Sequence, residues 1–170
     1  LVSLRGLRLE NNEIVDFASL SDLTGLAWLG LGVNRITDLP VLPEMSNLVW
    51  LDLHGNEIAD LGSLAGLTGL TGLGLWDNQI TDLGPLSGLS EIAWLALGGN
   101  QVSDLAPLVA NTGLDAGDTI WLAGNALDLA SGSKDMLDIE ELRTRGLNVY
   151  VTEDVSTIIL DTALEAAVQE

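Results

Sequence analysis

Asparagine recurs in this chain at a fixed interval. Asn12, Asn34, Asn56, Asn78 and Asn100 are each 22 residues apart, and Asn125 follows after 25. A period of this length constrains the fold more than any local propensity. One such unit cannot bury its own apolar side chains and must bury them against its copies. The apolar residues keep the same beat: Leu4, Leu7, Leu9; Leu26, Leu29, Leu31; Leu48, Leu51, Leu53; Leu70, Leu73, Leu75; and Ile92, Leu95, Leu97 precede the asparagines. Ile14, Ile36, Ile58, Ile80 and Val102 follow them, then Asp16, Asp38, Asp60, Asp82 and Asp104. The x-L-x-L-x core of each unit alternates at period two, which predicts a short strand with its leucines inward. Stacked units lie strand over strand, at roughly 4.8 Å. The asparagine stands where the strand turns, where its amide can bond backbone groups of its own and the next unit. The return segment, Leu-x-x-Leu with Pro85, Pro107 and several glycines, suits a 3₁₀ turn or a loop.

The pattern L-x-x-L-x-L-x-x-N-x-I-x-D-L-x-x-L resembles the leucine-rich-repeat family, and its period is similar to that of bacterial internalin-type repeats. The match covers about Leu1 to Asp128 and frays after Val109, where Asn111 to Asp118 hold extra residues. The resemblance implies an α/β solenoid: a right-handed superhelix of about six coils with a concave parallel β-sheet and 3₁₀ pieces or turns on the convex side. It also implies recognition of other proteins on the concave side.

The organisation expected is repeats over 1–132, a helix-strand cap over 133–151, and a tail over 152–170. In the cap, Ser133 to Arg145 reads as a helix carrying Leu137, Ile139 and Leu142, with Gly146 at its stop and Leu147 to Val151 as a last strand. In the tail, Asp161 to Val168 reads as a short helix with Asp161 as its N-cap. That helix looks like the opening cap of related repeat domains. Residues 161–170 are therefore read as the start of a following domain, as a dangling tail, or as a cap for the front of a neighbouring molecule in head-to-tail self-association. The chain starts at Leu1 and is read as a mature product or as a piece of something longer.

Composition narrows the partner. With 25 acidic residues against 6 basic ones, the net charge is −19, which repels the phosphates of nucleic acids and anionic lipid surfaces. No apolar run approaches the roughly 20 residues a membrane helix needs. The chain has no cysteine, so disulfides, thiolate zinc sites and cysteine nucleophiles are excluded.

The register also gives the outward strand positions, six, four and two residues before each asparagine. All 5 tryptophans fall on these 18 positions: Trp28, Trp50, Trp76, Trp94 and Trp121. Random placement would do that on the order of once in a hundred thousand trials, so the placement is a feature of the outer face. Their neighbours are largely glycine and alanine, which should leave the indole faces uncovered for a visitor to stack on. Asp52, His54 and Asp77 add polar groups at the centre, with both carboxylates expected to be solvated. The competing reading is that the indoles pack on one another, as the vertical neighbours Trp28 and Trp50 would, and shield the sheet.

The function expected is non-enzymatic recognition of an extended partner, protein placed ahead of polysaccharide, outside the cell. The competing class is a structural module assembling through its ends. Catalysis is not expected, since His54 is the lone histidine and no serine or cysteine stands on the outward rows. Neither a metal nor a cofactor is called for. The aspartate column could be a Ca²⁺ ladder, but the favoured reading is that each carboxylate accepts backbone N–H groups in the turn that follows it.

Overall fold

The computed structural model describes residues 4–42 and 45–152. Among the described residues, the repeated segments and the cap form seven strands of three residues each: β1 (Gly6–Arg8), β2 (Trp28–Gly30), β3 (Trp50–Asp52), β4 (Gly72–Gly74), β5 (Trp94–Ala96), β6 (Thr119–Trp121) and, from the cap, β7 (Asn148–Tyr150). They pair in parallel and in chain order, giving one sheet. The register keeps the sequence period, so Leu7, Leu29, Leu51, Leu73, Leu95, Ile120 and Val149 lie side by side. This row points into a continuous core with the leucines that flank it. Leu29, Leu51 and Leu73 are completely buried, and each contributes roughly 1.5–3 kcal/mol of hydrophobic stabilisation. The architecture is the leucine-rich-repeat solenoid that the period predicts. In the first coil, Leu4, Leu7 and Leu9 are only half-buried.

The asparagine ladder closes the end of each strand. Oδ1 of Asn34, Asn56, Asn78, Asn100 and Asn125 accepts the backbone N–H of Ile14, Ile36, Ile58, Ile80 and Val102 at 3.0 Å. Their Nδ2 groups donate to carbonyls of their own coil and of the preceding one, as Asn56 does to Leu53 at 2.9 Å and Leu31 at 3.1 Å. The bonds thus reach back to the preceding coil rather than forward to the next. The cause is that the groups left over where the ladder stops, such as the Leu9 carbonyl and the Ile14 N–H, belong to the preceding coil. Immediately before each asparagine the backbone is left-handed: Asn11, Val33, Gly55, Asp77, Gly99 and Gly124 have φ of 56°, 53°, 60°, 54°, 64° and 72°.

The return segments are 3₁₀ turns at Ala18–Leu20, Gly62–Leu64 and Gly84–Gly88. In the fifth coil the same stretch widens into one α turn, α1 (Ala106–Ala110), with a bond from the Val109 N–H to the Leu105 carbonyl. Alanines there replace the glycines of the third and fourth coils, which favours helix by about 1 kcal/mol per residue. Asp16, Asp60, Asp82 and Asp104 each accept the N–H two residues on, at 2.8–3.1 Å. Asp38 instead accepts the Thr37 hydroxyl, because Pro40 has no N–H to offer. The turn-capping reading accounts for four of these five carboxylates.

At the far end, α2 (Lys134–Thr144) starts from Ser133, whose hydroxyl accepts the Met136 N–H, and stops at Gly146, which has φ of 95°. Its buried side is Asp135, Ile139 and Leu142. Leu137, expected to help pack the cap, is 56% exposed, because it falls off that 135–139–142 face. Arg145 ties the helix end to the irregular segment before β6 by donating to the carbonyls of Val109, Asn111 and Leu114. The tail helix read at residues 161–170 lies outside the described residues.

Candidate functional site

The outer face of the sheet is where the repeat stops repeating. Three rows cross it, one for each outward strand position, and each mixes tryptophan with glycine, alanine or a polar residue. The structure brings four of the five tryptophans, with His54, into one line of ring contacts. Trp50 stacks on Trp94 (centroids 4.9 Å apart, planes 30°), although the two stand on strands separated by β4. Trp94 also meets Trp76 edge-on at 6.1 Å and Trp121 at 5.1 Å. His54 lies flat on Trp76, 4.4 Å away at 12°. Trp121 continues to Tyr150 at 5.6 Å. Trp28 stands apart from this line and carries the Arg8 guanidinium 5.2 Å above its ring.

The expectation that glycine leaves the rings bare is overturned. Glycine is what the rings lie on. A Cβ on Gly72 would sit 2.0 Å from the Trp50 ring, one on Gly74 2.7 Å from Trp76, and one on Gly32 2.1 Å from His54. The open space left by each missing side chain is filled by a neighbour's ring. Trp121, between Trp94 and Tyr150, is only 5% exposed, whereas Trp28, Trp50, Trp76 and Trp94 are half-buried. Trp28 and Trp50 are strand partners as expected, but Trp50 leans the other way, over Gly72. The Nε1 donors of Trp28, Trp50, Trp94 and Trp121 are tucked inward without an acceptor among the described residues. What Trp50, Trp94 and Trp121 offer outward is ring carbon, not N–H.

The polar centre differs from expectation too. Asp52 was read as solvated and is 1% exposed. Its Oδ1 and Oδ2 lie 2.9 and 3.0 Å from His54 Nδ1, and Oδ1 also accepts the His54 backbone N–H at 3.1 Å. Gly74 makes room for this carboxylate beside the Trp76 ring, and the histidine supplies the partner that a buried charge needs. Burial works against the imidazolium, but the hydrogen bond and charge of Asp52, with the charges of Glu10 and Asp77, hold the His54 pKa above its ordinary value. Asp77 is exposed and reaches over Gly99 on the next coil. Glu10 extends over Gly30, sharing that space with the tip of the Trp28 ring.

Two residues of the strip escaped the sequence reading. Tyr150 is the strand partner of Trp121 and prolongs its row by one coil. Continuing the alternation of Trp121 into the last strand would have found it. Glu10 stood among the outward positions but only the fold reveals its closeness to Trp28 and His54. Among the described residues, no group of three or more His, Cys, Asp or Glu side chains is arranged to hold a metal ion. No helix among them is long and apolar enough to cross a membrane.

A family model described as Leucine Rich repeats (2 copies) matches residues 46–88. Among solved structures, the chain is similar to an internalin (inlF) from Listeria monocytogenes str. 4b F2365, at 33% identity and a TM-score of 0.78, over 89% of this chain and 42% of that one. It is also similar to an internalin C2 of the same organism, at 28% identity and a TM-score of 0.69, over 89% of this chain and 72% of that one. A leucine-rich-repeat protein of Leptospira interrogans is 27% identical with a TM-score of 0.74, over 86% of this chain and 36% of its own. The chain thus spans less than half the length of the first and third of these. No curated protein matches the chain.

Proposed function

We infer that this chain, a leucine-rich-repeat protein of internalin type, is a non-catalytic module that recognises an extended protein partner, outside the cell, on the concave, tryptophan-lined face of its sheet. The observation that carries this reading is the continuous line of rings from His54 through Trp76, Trp94 and Trp121 to Tyr150, with Trp50 stacked beside it. Aromatic side chains concentrated at the centre of a face are what protein interfaces use as anchors. Protein is favoured over polysaccharide by the inward turn of four of the five indole N–H groups. A sugar ring stacked on an indole also needs donors and acceptors for its hydroxyls, and four of the indoles on this face turn their donors away. Asp52 is committed to His54 and so is not free to work with Asp77 as the two acids of a glycosidase do.

The test is capture of partners from an array of extracellular proteins by wild type and by Trp50→Ala and Trp94→Ala, beside a glycan array. Capture of a protein that both variants lose, while their melting midpoints stay within a few degrees of wild type, supports the reading. Capture of glycans alone moves the assignment to a carbohydrate-binding module. Binding that survives both substitutions puts the interface elsewhere, the ends of the solenoid included.

A further inference from the structure

The outer face already holds a cation, and it is its own. Arg8 places its guanidinium over the Trp28 ring, and His54 lies parallel on Trp76, held there by Asp52. An indole face attracts positive charge through its quadrupole. Of the 6 Lys and Arg residues in the chain, Arg8 alone occupies an outward strand position. Arg143, Arg145 and Lys134 are spent on the cap, bonding the Val149 carbonyl, the Val109 carbonyl and Asp104 respectively. Trp50 and Trp94 are half-buried and pack against aromatic neighbours. Two carboxylates border the strip, Glu10 beside Trp28 and the exposed Asp77 after Trp76. The whole chain carries −19.

We propose that the partner segment docked on this face is cationic: an extended peptide that lays arginine or lysine side chains over the ring carbon of Trp50 and Trp94 and pairs them with Glu10 and Asp77. The proposal rests on the protein-recognition reading above and adds the chemistry of the partner. Charge complementarity selects it. An acidic segment meets repulsion from the chain's excess of carboxylates, and a neutral one leaves Glu10 and Asp77 without counter-charges. Arg8 acts as a stand-in that occupies the Trp28 ring, beside Glu10, until the partner arrives.

The test uses the full chain and a fluorescein-labelled dodecapeptide of alternating arginine and alanine, followed by anisotropy. Matching glutamine–alanine and glutamate–alanine peptides and a cellulose-derived hexasaccharide serve as comparisons. The arginine peptide binds, and the others bind more weakly or not at all. Trp94→Leu weakens it roughly threefold to thirtyfold, the span of one cation–π contact. Glu10→Gln and Asp77→Asn each weaken it several-fold, whereas Asp60→Asn and Asp82→Asn, on the aspartate column away from the strip, leave it unchanged. Arg8→Ala tightens it, because the Trp28 ring beside Glu10 is then open to one more cation of the peptide; a merely structural role for Arg8 would not produce that gain. Equal binding of the glutamine peptide overturns the inference while leaving protein recognition intact. So does an arginine affinity insensitive to Trp94→Leu, which would reflect net charge alone. No binding of the arginine peptide overturns it as well. A response to the hexasaccharide alone removes both this inference and the reading beneath it.

Discussion

The two faces of one short sheet are built on opposite rules. On the inner face every coil places the same kind of side chain at the same position, so Leu29, Leu51 and Leu73 pack as identical layers with no exposed surface. On the outer face no row repeats. Trp50, Gly72 and Trp94 are strand partners in sequence, and the glycine between them gives the two indoles the space in which to meet. Repetition suits a core, because each coil must fit both of its neighbours. A recognition surface must be different at each point, and here the difference is made by alternating the largest side chain with the smallest.

Truncation on the inner face should have the largest effect. Leu73→Ala removes a completely buried side chain from mid-core and should cost about 2–5 kcal/mol in urea unfolding. Leu7→Ala, the same position in the half-exposed first coil, should cost less than half as much. Equal losses would mean that the layers are not stacked as one core. Asn56→Ala comes next. It strands the Ile36 N–H and the Leu31 and Leu53 carbonyls in the interior, for roughly 1–3 kcal/mol. Asn12→Ala makes a control within the same chain: Asn12 is exposed and bonds only carbonyls of its own coil, so its loss should be under about 1 kcal/mol.

Gly72→Ala tests the outer rule. The added Cβ would fall 2.0 Å from the Trp50 ring, so the ring must lift off and the Trp50–Trp94 stack must open. The expected cost is about 1–3 kcal/mol, with a red shift of tryptophan emission as the indole enters water. An unchanged spectrum would mean that the ring does not lie over Gly72.

This contrast explains what could be read from the amino acids alone. The inner face was legible to the residue, because the period fixes register and register fixes burial. The positions of the tryptophans on the outer face were legible for the same reason. Their contacts were not, because Trp50 could lean toward Trp28 or toward Gly72, and which way it leans depends on the space over Gly72 on the next strand and on Trp94 beyond it. Asp52 was misread as solvated for a related reason. Only the fold shows that Gly74 and His54 close over it. In the cap, Leu137 looked apolar enough to pack, but the face of α2 that meets the core is set by Ile139 and Leu142.

A smaller effect follows from pH. The imidazolium of His54 is stabilised in the fold against Asp52, with Glu10, Asp77 and the Trp76 ring also facing it. A folded pKa raised above the unfolded value near 6.5 gives a contribution that is complete below that value and is lost as pH rises through the folded pKa. The melting midpoint should therefore decline as pH rises from about 6.5 into the weakly alkaline range, and His54→Asn should flatten that decline. A midpoint that rises over the same range in wild type alone would reverse the assigned sign.

The border between the two faces carries the smallest prediction, and it is a gain. The position before each ladder asparagine is left-handed, and in the described coils it is held by Asn11, Val33, Gly55, Asp77, Gly99 and Gly124. Asparagine, aspartate and glycine tolerate that backbone, whereas a β-branched residue does not. Val33 has φ of 53°, and its side chain is 44% exposed, so little burial offsets the strain. Val33→Asn copies the residue that the first coil already uses and should stabilise the protein by about 1 kcal/mol. In a chain of this size that raises the melting midpoint by roughly 2–4 °C. Gly55→Val makes the reverse exchange one coil later and should lower it by at least as much, since a Cβ there already comes within 3.3 Å of the Val33 side chain. A loss of stability in Val33→Asn would show that the valine side chain itself supports the coil, and that the border follows the inner rule rather than the outer one.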